Sequence, residues 1–118
     1  MTFKFRHLHV KTKDTQKTAD WWVENLGAKI IGRTHGTGYQ LELDGITFNV
    51  TTLVEHQVRQ QHYGLEHIAI RTDDPSNVDK LIANGARVLE ESPIPEMKLK
   101  VFFMETPEGV QLEVSMPE

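Results

Sequence analysis

The sequence predicts an α+β fold: two tandem βαβββ repeats whose strands form a curved mixed sheet around a central cavity, with the helices outside. Three observations predict it. The first is an internal repeat. Residues 5–14 read Phe-Arg-His-Leu-His-Val-Lys-Thr-Lys-Asp and residues 65–74 read Leu-Glu-His-Ile-Ala-Ile-Arg-Thr-Asp-Asp, so His7 falls on His67, Lys11 on Arg71 and Asp14 on Asp74. The second is a helical stripe bounded by capping residues after each of these segments. The third is a set of three alternating, strand-like stretches after each helix.

Taken in order, each repeat opens on a strand, residues 5–11 and 65–71, in which apolar and polar residues alternate. In the first helix Ala19, Trp22, Val23 and Leu26 recur at helical spacing, with Asp14 as N-cap and Gly27 just past the end. In the second, Val78, Leu81 and Ile82 recur, opened by Asp74-Pro75 and closed by Gly85. The strands that follow are expected at 29–34, 38–43 and 46–51, and at 87–90, 99–104 and 110–115. Asp44-Gly45-Ile46 aligns with Glu108-Gly109-Val110 at an offset of 64, so the later copy carries extra residues, assigned to Ser92–Glu96 with its two prolines. Repeat one spans about 1–52 and repeat two about 64–118. Residues 53–63 are polar, Gln-rich and aperiodic, and read as a linker or a short helix.

Composition narrows the partners. The chain has 118 residues, the size of a single domain, with thirteen Lys and Arg against seventeen Asp and Glu. A net charge of −4 leaves no basic surplus for nucleic acid. The apolar runs are too short for a membrane span, and Met1-Thr2-Phe3-Lys4 does not open a signal peptide. Zero cysteines removes disulfides, thiolate nucleophiles and Cys-based zinc sites, and the expected location is the cytoplasm. Six histidines make His, carboxylate and amide side chains the available metal donors.

Alternation assigns the faces. Leu8, Val10, Ile68, Ile70, Ile46, Phe48, Val50, Val110, Leu112 and Val114 share the parity that meets the helices. His7, His9, Lys11, His67, Arg71, Asn49 and Glu113 share the other, so two equivalent histidines, a carboxylate and an amide are expected to point inward. A one-residue slip in register would invert that assignment.

These residues resemble the vicinal oxygen chelate superfamily, which includes glyoxalase I, methylmalonyl-CoA epimerase, extradiol dioxygenases and the bleomycin and fosfomycin resistance proteins. The resemblance covers essentially the whole chain. It is carried by His7 with Asp14, His67 with Asp74, and Thr106-Pro107-Glu108-Gly109-Val110-Gln111-Leu112-Glu113. It implies a divalent metal held from the first and last strands of each repeat, which transfers to His7, Asn49, His67 and Glu113. Where the family usually has Glu, Gln or His, this chain has Asn49, one methylene shorter than Gln. The expected ligands are therefore His7, His67 and Glu113, with Asn49 left to the substrate or to a water-bridged contact. Two histidines and a carboxylate with open positions suit Zn, Ni, Co, Mn or Fe.

The chemistry so implied is proton transfer on a small hydroxy- or keto-substrate whose neighbouring oxygens chelate the ion, in an isomerase, epimerase or lyase of the glyoxalase I-like type. Candidate bases are Glu113, His9 and His35; Arg33-Thr34-His35 stands near where epimerase-like members place a non-ligand glutamate. Lys11 and Arg71 are candidate partners for an anionic substrate group, against the plainer alternative of strand ends reaching solvent. Asp14 and Asp74 read as helix caps, His56 and His62 as exposed side chains. Two alternatives remain. An Fe(II) extradiol dioxygenase would use the same three ligands, but Phe103 stands ten residues before Glu113, where those enzymes carry an acid/base tyrosine. A non-catalytic binding or resistance protein would hold its ligand on aromatic surface such as Tyr39, Phe48, Phe102, Phe103 and the Trp21–Trp22 pair. Phe103 and Tyr39 are thus also candidate substrate contacts. A homodimer is expected, since small sheets of this kind need covering.

Overall fold

The order strand, helix, strand, strand, strand occurs twice along residues 3–34 and 36–118, which the computed structural model describes. The elements are β1 (Lys4–Lys11), α1 (Thr15–Leu26), β2 (Lys29–Arg33), β3 (Tyr39–Leu43), β4 (Ile46–Thr51), β5 (Gly64–Arg71), α2 (Ser76–Ala83), β6 (Arg87–Glu91), β7 (Leu99–Glu105) and β8 (Gln111–Pro117). The fold is α+β, its strands pairing in both senses. Residues 53–63 form no helix. No helix among the described residues is long and apolar enough to cross a membrane.

Two compact units divide the chain. One comprises His7–His56 with Gln60–Glu66; the other comprises the described part of Met1–Arg6 with Gln57–Arg59 and His67–Glu118. In the first unit the strands lie in the order β2-β3-β4-β1. β1 runs parallel to β4, pairing Leu8 with Phe48 and His9 with Asn49, and β3 runs antiparallel to both of its neighbours. One face carries α1. Ala19 and Trp22 pack there against Val10, Tyr39, Leu41, Phe48 and Val50, and the Trp22 and Phe48 rings stand 4.7 Å apart. Burying Leu41 completely contributes about 1.5–3 kcal/mol.

α1 starts and stops where capping chemistry places it. Asp14 Oδ1 accepts from the Lys17 N–H at 3.0 Å, and Gly27 ends the helix at φ 76°, a left-handed conformation that glycine adopts without steric penalty. The buried stripe is narrower than expected. Val23 and Leu26 are exposed; α1 presents the row Thr15, Ala19, Trp22 to the sheet, Val23 stands at the margin of that row and Leu26 in the last turn of the helix.

The second unit repeats the plan in the order β5-β8-β7-β6, with β5 parallel to β8 in an equivalent register: Ile68 opposite Leu112 and Ala69 opposite Glu113. Val78 and Leu81 of α2 pack on Ile70, Met104, Leu112, Val114 and Met116, while Ile82 is exposed. Asp74 acts one residue further out than Asp14 does. Pro75 is the N-cap position, and Asp74 Oδ1 accepts from the Ser76 N–H at 3.0 Å and the Ser76 hydroxyl at 2.7 Å. These bonds hold the Asp74 carboxyl below its ordinary range.

The copies differ in length where the prolines stand. The offset falls to 58 at Gly27/Gly85, because α2 is shorter, and rises to 63 at Leu41/Met104, the partners of Phe48 and Leu112. A longer connection between β6 and β7, with a 3₁₀ turn at Pro95–Met97 and a bridge from Ile94 to Leu99, and an earlier start of β7 together absorb that rise. The faces differ as well. In the second unit Leu99, Val101 and Phe103 form a cluster with Leu89 and Ile94 on the face away from α2; in the first unit Gln40 stands in the place of Phe103.

Candidate functional site

Strand alternation fixes which side chains can meet. In the first unit Leu8 and Val10 turn toward α1, so His7, His9 and Lys11 occupy the opposite face, and β4 places Thr47, Asn49 and Thr51 on that same face. His7 is buried, with its Nε2 accepting from the Asn49 side-chain amide at 3.1 Å. His9 is half-buried; its Nε2 lies 2.6 Å from the Thr51 hydroxyl, and its ring is 5.7 Å from that of His7. Lys11 is only 3% exposed and donates from Nζ to the Thr52 carbonyl at 3.2 Å, so it is no solvent-reaching strand end.

The second unit repeats the pairing with a carboxylate in place of the amide. His67 is buried on β5, and its Nε2 lies 3.6 Å from Glu113 Oε1 on β8. The Phe103 ring meets the His67 ring nearly perpendicular at 5.4 Å. Arg71, at the end of β5, is partly exposed, and its Nε stands 3.5 Å from Asp73 Oδ1.

Each unit thus assembles half of the expected donor set: His7 and Asn49 in the first, with His9 on the same face, and His67 and Glu113 in the second, with the Phe103 ring against the histidine. His35 lies outside the described residues. Tyr39 is displaced from the expected role. It is opposite Val50 in the β3–β4 register, so it shares the α1 face, where it is buried, donates its hydroxyl to Gln16 Oε1 and lies under the Arg33 guanidinium at 4.2 Å. Its parity is that of Leu41, which points to the core; the aromatic ring alone suggested substrate.

Two buried charged residues escaped the sequence reading, Arg59 and Glu66. Arg59 stands in the aperiodic linker beside the exposed Val58, where nothing local marks it. Glu66 occupies a helix-facing parity on β5, a position where an apolar residue is expected.

Whether these donors suit a divalent ion can be tested on the geometry inside each unit. Ligands bound at about 2.1 Å and separated by about 90–110° stand about 3.0–3.4 Å apart. His67 Nε2 to Glu113 Oε1, at 3.6 Å, lies just beyond that range, and in the first unit it is the Asn49 amide nitrogen, not its oxygen, that stands 3.1 Å from His7 Nε2. Asn49 Oδ1 is buried with no hydrogen-bond partner among the described residues. A half-turn of the amide would set this oxygen against the His7 lone pair, two acceptors that a cation would satisfy together. The donor set fits.

A family profile, that of the Glyoxalase/Bleomycin resistance protein/Dioxygenase superfamily, matches residues 4–114. Among solved structures the chain is similar to a hypothetical protein from Bacillus halodurans C-125, with 18% identity and a TM-score of 0.74 over 100% of this chain and 96% of that one. It is similar to methylmalonyl-CoA epimerase from Mycobacterium tuberculosis, with 16% identity and a TM-score of 0.67 over 97% and 87%. A mutant of glyoxalase I from Zea mays gives 18% identity and a TM-score of 0.67 over 96% of this chain and 42% of that one. At these identities the likeness is one of fold. No curated protein matches the chain.

Proposed function

The chain belongs to the glyoxalase/bleomycin resistance protein/dioxygenase superfamily, and from that membership we propose that it is a divalent-metal-dependent isomerase, epimerase or lyase. Its substrate is a small molecule with neighbouring hydroxy or keto oxygens, and its reaction is a proton transfer. The observation that carries the reading is the repeated pairing of a strand histidine with a donor on the last strand of its own repeat: His7 with Asn49, His67 with Glu113.

In this reading His7, His67 and Glu113 hold one ion, and Asn49 Oδ1 is available as a further oxygen donor. A divalent cation, when bound, supplies Lewis acidity that stabilises negative charge developing on a substrate oxygen beside the carbon that loses its proton. The chain's own groups move that proton. Glu113 and His9 are the described candidates, and His35 is the third. His9 is a candidate donor to the ion as well; it is assigned here to the proton, its Nε2 being held by Thr51. Lys11, on the strand that carries His7 and His9, is the cation for a carboxylate or phosphate of the substrate.

The alternatives find less support. Phe103 is a buried ring with no hydroxyl to act as the acid/base group of a ring-cleaving dioxygenase. Of the aromatic residues that could furnish a binding surface, Tyr39 and Phe48 pack with Trp22 in the core between α1 and its sheet. A homodimer in the cytoplasm, with no nucleic-acid or membrane partner, completes the proposal.

Elemental analysis of protein purified without chelator tests it, followed by deuterium wash-in at the carbon of small hydroxy and keto acids. About one ion per chain and chelator-sensitive exchange are expected. Protein that neither carries metal nor binds added Co(II) sinks the reading.

A further inference from the structure

The aperiodic segment between the repeats delivers a charged side chain into the second unit. Val58 is 86% exposed and the adjoining Arg59 only 6%, so the chain turns its apolar residue out and its guanidinium in. A desolvated guanidinium needs acceptors. Nη1 donates to Gln111 Oε1 at 2.7 Å, Nη2 donates to Gln57 Oε1 at 3.0 Å, and the Arg59 backbone N–H donates to Glu90 Oε1 at 2.9 Å. The guanidinium carbon lies 3.8 Å from the centroid of the Phe103 ring, and Phe103 in turn meets His67 edge-on at 5.4 Å. Gln111 precedes Glu113 by two residues on β8 and therefore shares its face. One planar cation thus backs the ring that backs the imidazole, and holds the side chain next along the strand from the carboxylate.

We propose that Arg59 is a positioning residue: by clamping Phe103 and Gln111 it fixes the ring plane of His67 and the placement of Glu113. The clamp itself is read from the geometry; its consequence for metal affinity rests on the function proposed above. A guanidinium suits the task better than an ammonium, because its flat face stacks on an aromatic ring while its edge donates in two directions. Groups that orient metal ligands from behind typically change affinity by about 10–100-fold when removed.

Two readouts separate the clamp from the metal reading. The first is proton NMR of the metal-free full-length protein, in which the Phe103 ring displaces the His67 ring-proton signals. Arg59→Met keeps the stem and removes the guanidinium; the His67 signals should move toward unperturbed positions, and Arg59→Lys should restore them only in part. The second is titration with Co(II), where Arg59→Met should weaken binding about 10–100-fold and alter the visible absorption. An Arg59 that merely supports the fold would lower stability in both variants but leave the His67 signals and the Co(II) spectrum in place, and that result overturns the proposal. Wild-type protein that takes up no Co(II), with His67 signals that still move in Arg59→Met, upholds the clamp and refutes the metal reading. If Arg59→Met does not fold, Gln57→Ala decides: partial movement of the His67 signals supports the clamp, and unchanged signals overturn it.

Discussion

Asn49 is the register partner of His9, yet its side-chain amide hydrogen-bonds to His7, two residues back along β1, at 3.1 Å. Glu113 stands in the same diagonal relation to His67: its register partner is Ala69, and its carboxylate approaches the histidine two residues earlier. The diagonal is a property of parallel pairing between the first and last strands of each repeat, and it places a donor beside each histidine twice over.

If Asn49 is a latent donor, its length matters. Asn49→Gln restores the methylene that family members usually have and is expected to tighten Co(II) binding. Asn49→Ala removes the bond to His7 and should cost about 0.5–1.5 kcal/mol of stability. Calorimetric titration and urea unfolding report the two effects separately, and equal Co(II) affinity in all three proteins would exclude Asn49 from the ion.

His67→Ala and Glu113→Ala each remove one proposed ligand and should leave the purified protein without stoichiometric metal. Mass spectrometry for metals on dialysed protein checks this. Full retention in both variants contradicts the ligand set.

For His9 the expectation is a split between binding and rate. His9→Asn should keep the ion and lower proton exchange by about 10²–10⁴-fold. Deuterium wash-in measured at matched metal loading gives the answer; an unchanged rate moves the base to Glu113 or His35.

Asp74 gives a pH dependence. Its carboxyl is held below the ordinary 3.8 by the Ser76 hydroxyl and N–H, so the stabilisation is present above the unfolded value and is lost as pH falls through the lower folded value. Asp74→Asn should therefore be less stable than wild type at neutral pH, with the gap closing under acid conditions. Denaturant midpoints across that range test the sign.

Leu41 and Met104 are fully buried and occupy equivalent places, opposite Phe48 and Leu112. Truncating either to Ala should cost about 2–5 kcal/mol in urea unfolding. A much smaller loss in one repeat would mean that its core collapses into the space.

Much of this architecture was legible in the residues. The repeat, the cap at Asp14, the left-handed Gly27 and the parity that sets His7, His9, Asn49, His67 and Glu113 on the strand faces away from the helices all follow from patterns that a few neighbouring residues define. Tyr39 was legible too, by the parity it shares with Leu41, but its aromatic character outweighed that signal.

The sequence by itself determined the two repeats and the face on which each donor stands, because strand period and helix capping are settled within a turn or two of chain. Only the tertiary structure decided that Asn49 meets His7 rather than His9's ring, that Phe103 closes over His67, and that Arg59 is drawn in from a featureless linker. Those contacts join residues far apart in the chain, 42 positions in the case of His7 and Asn49. Packing and desolvation choose them once the sheet has formed, and no local period encodes that choice.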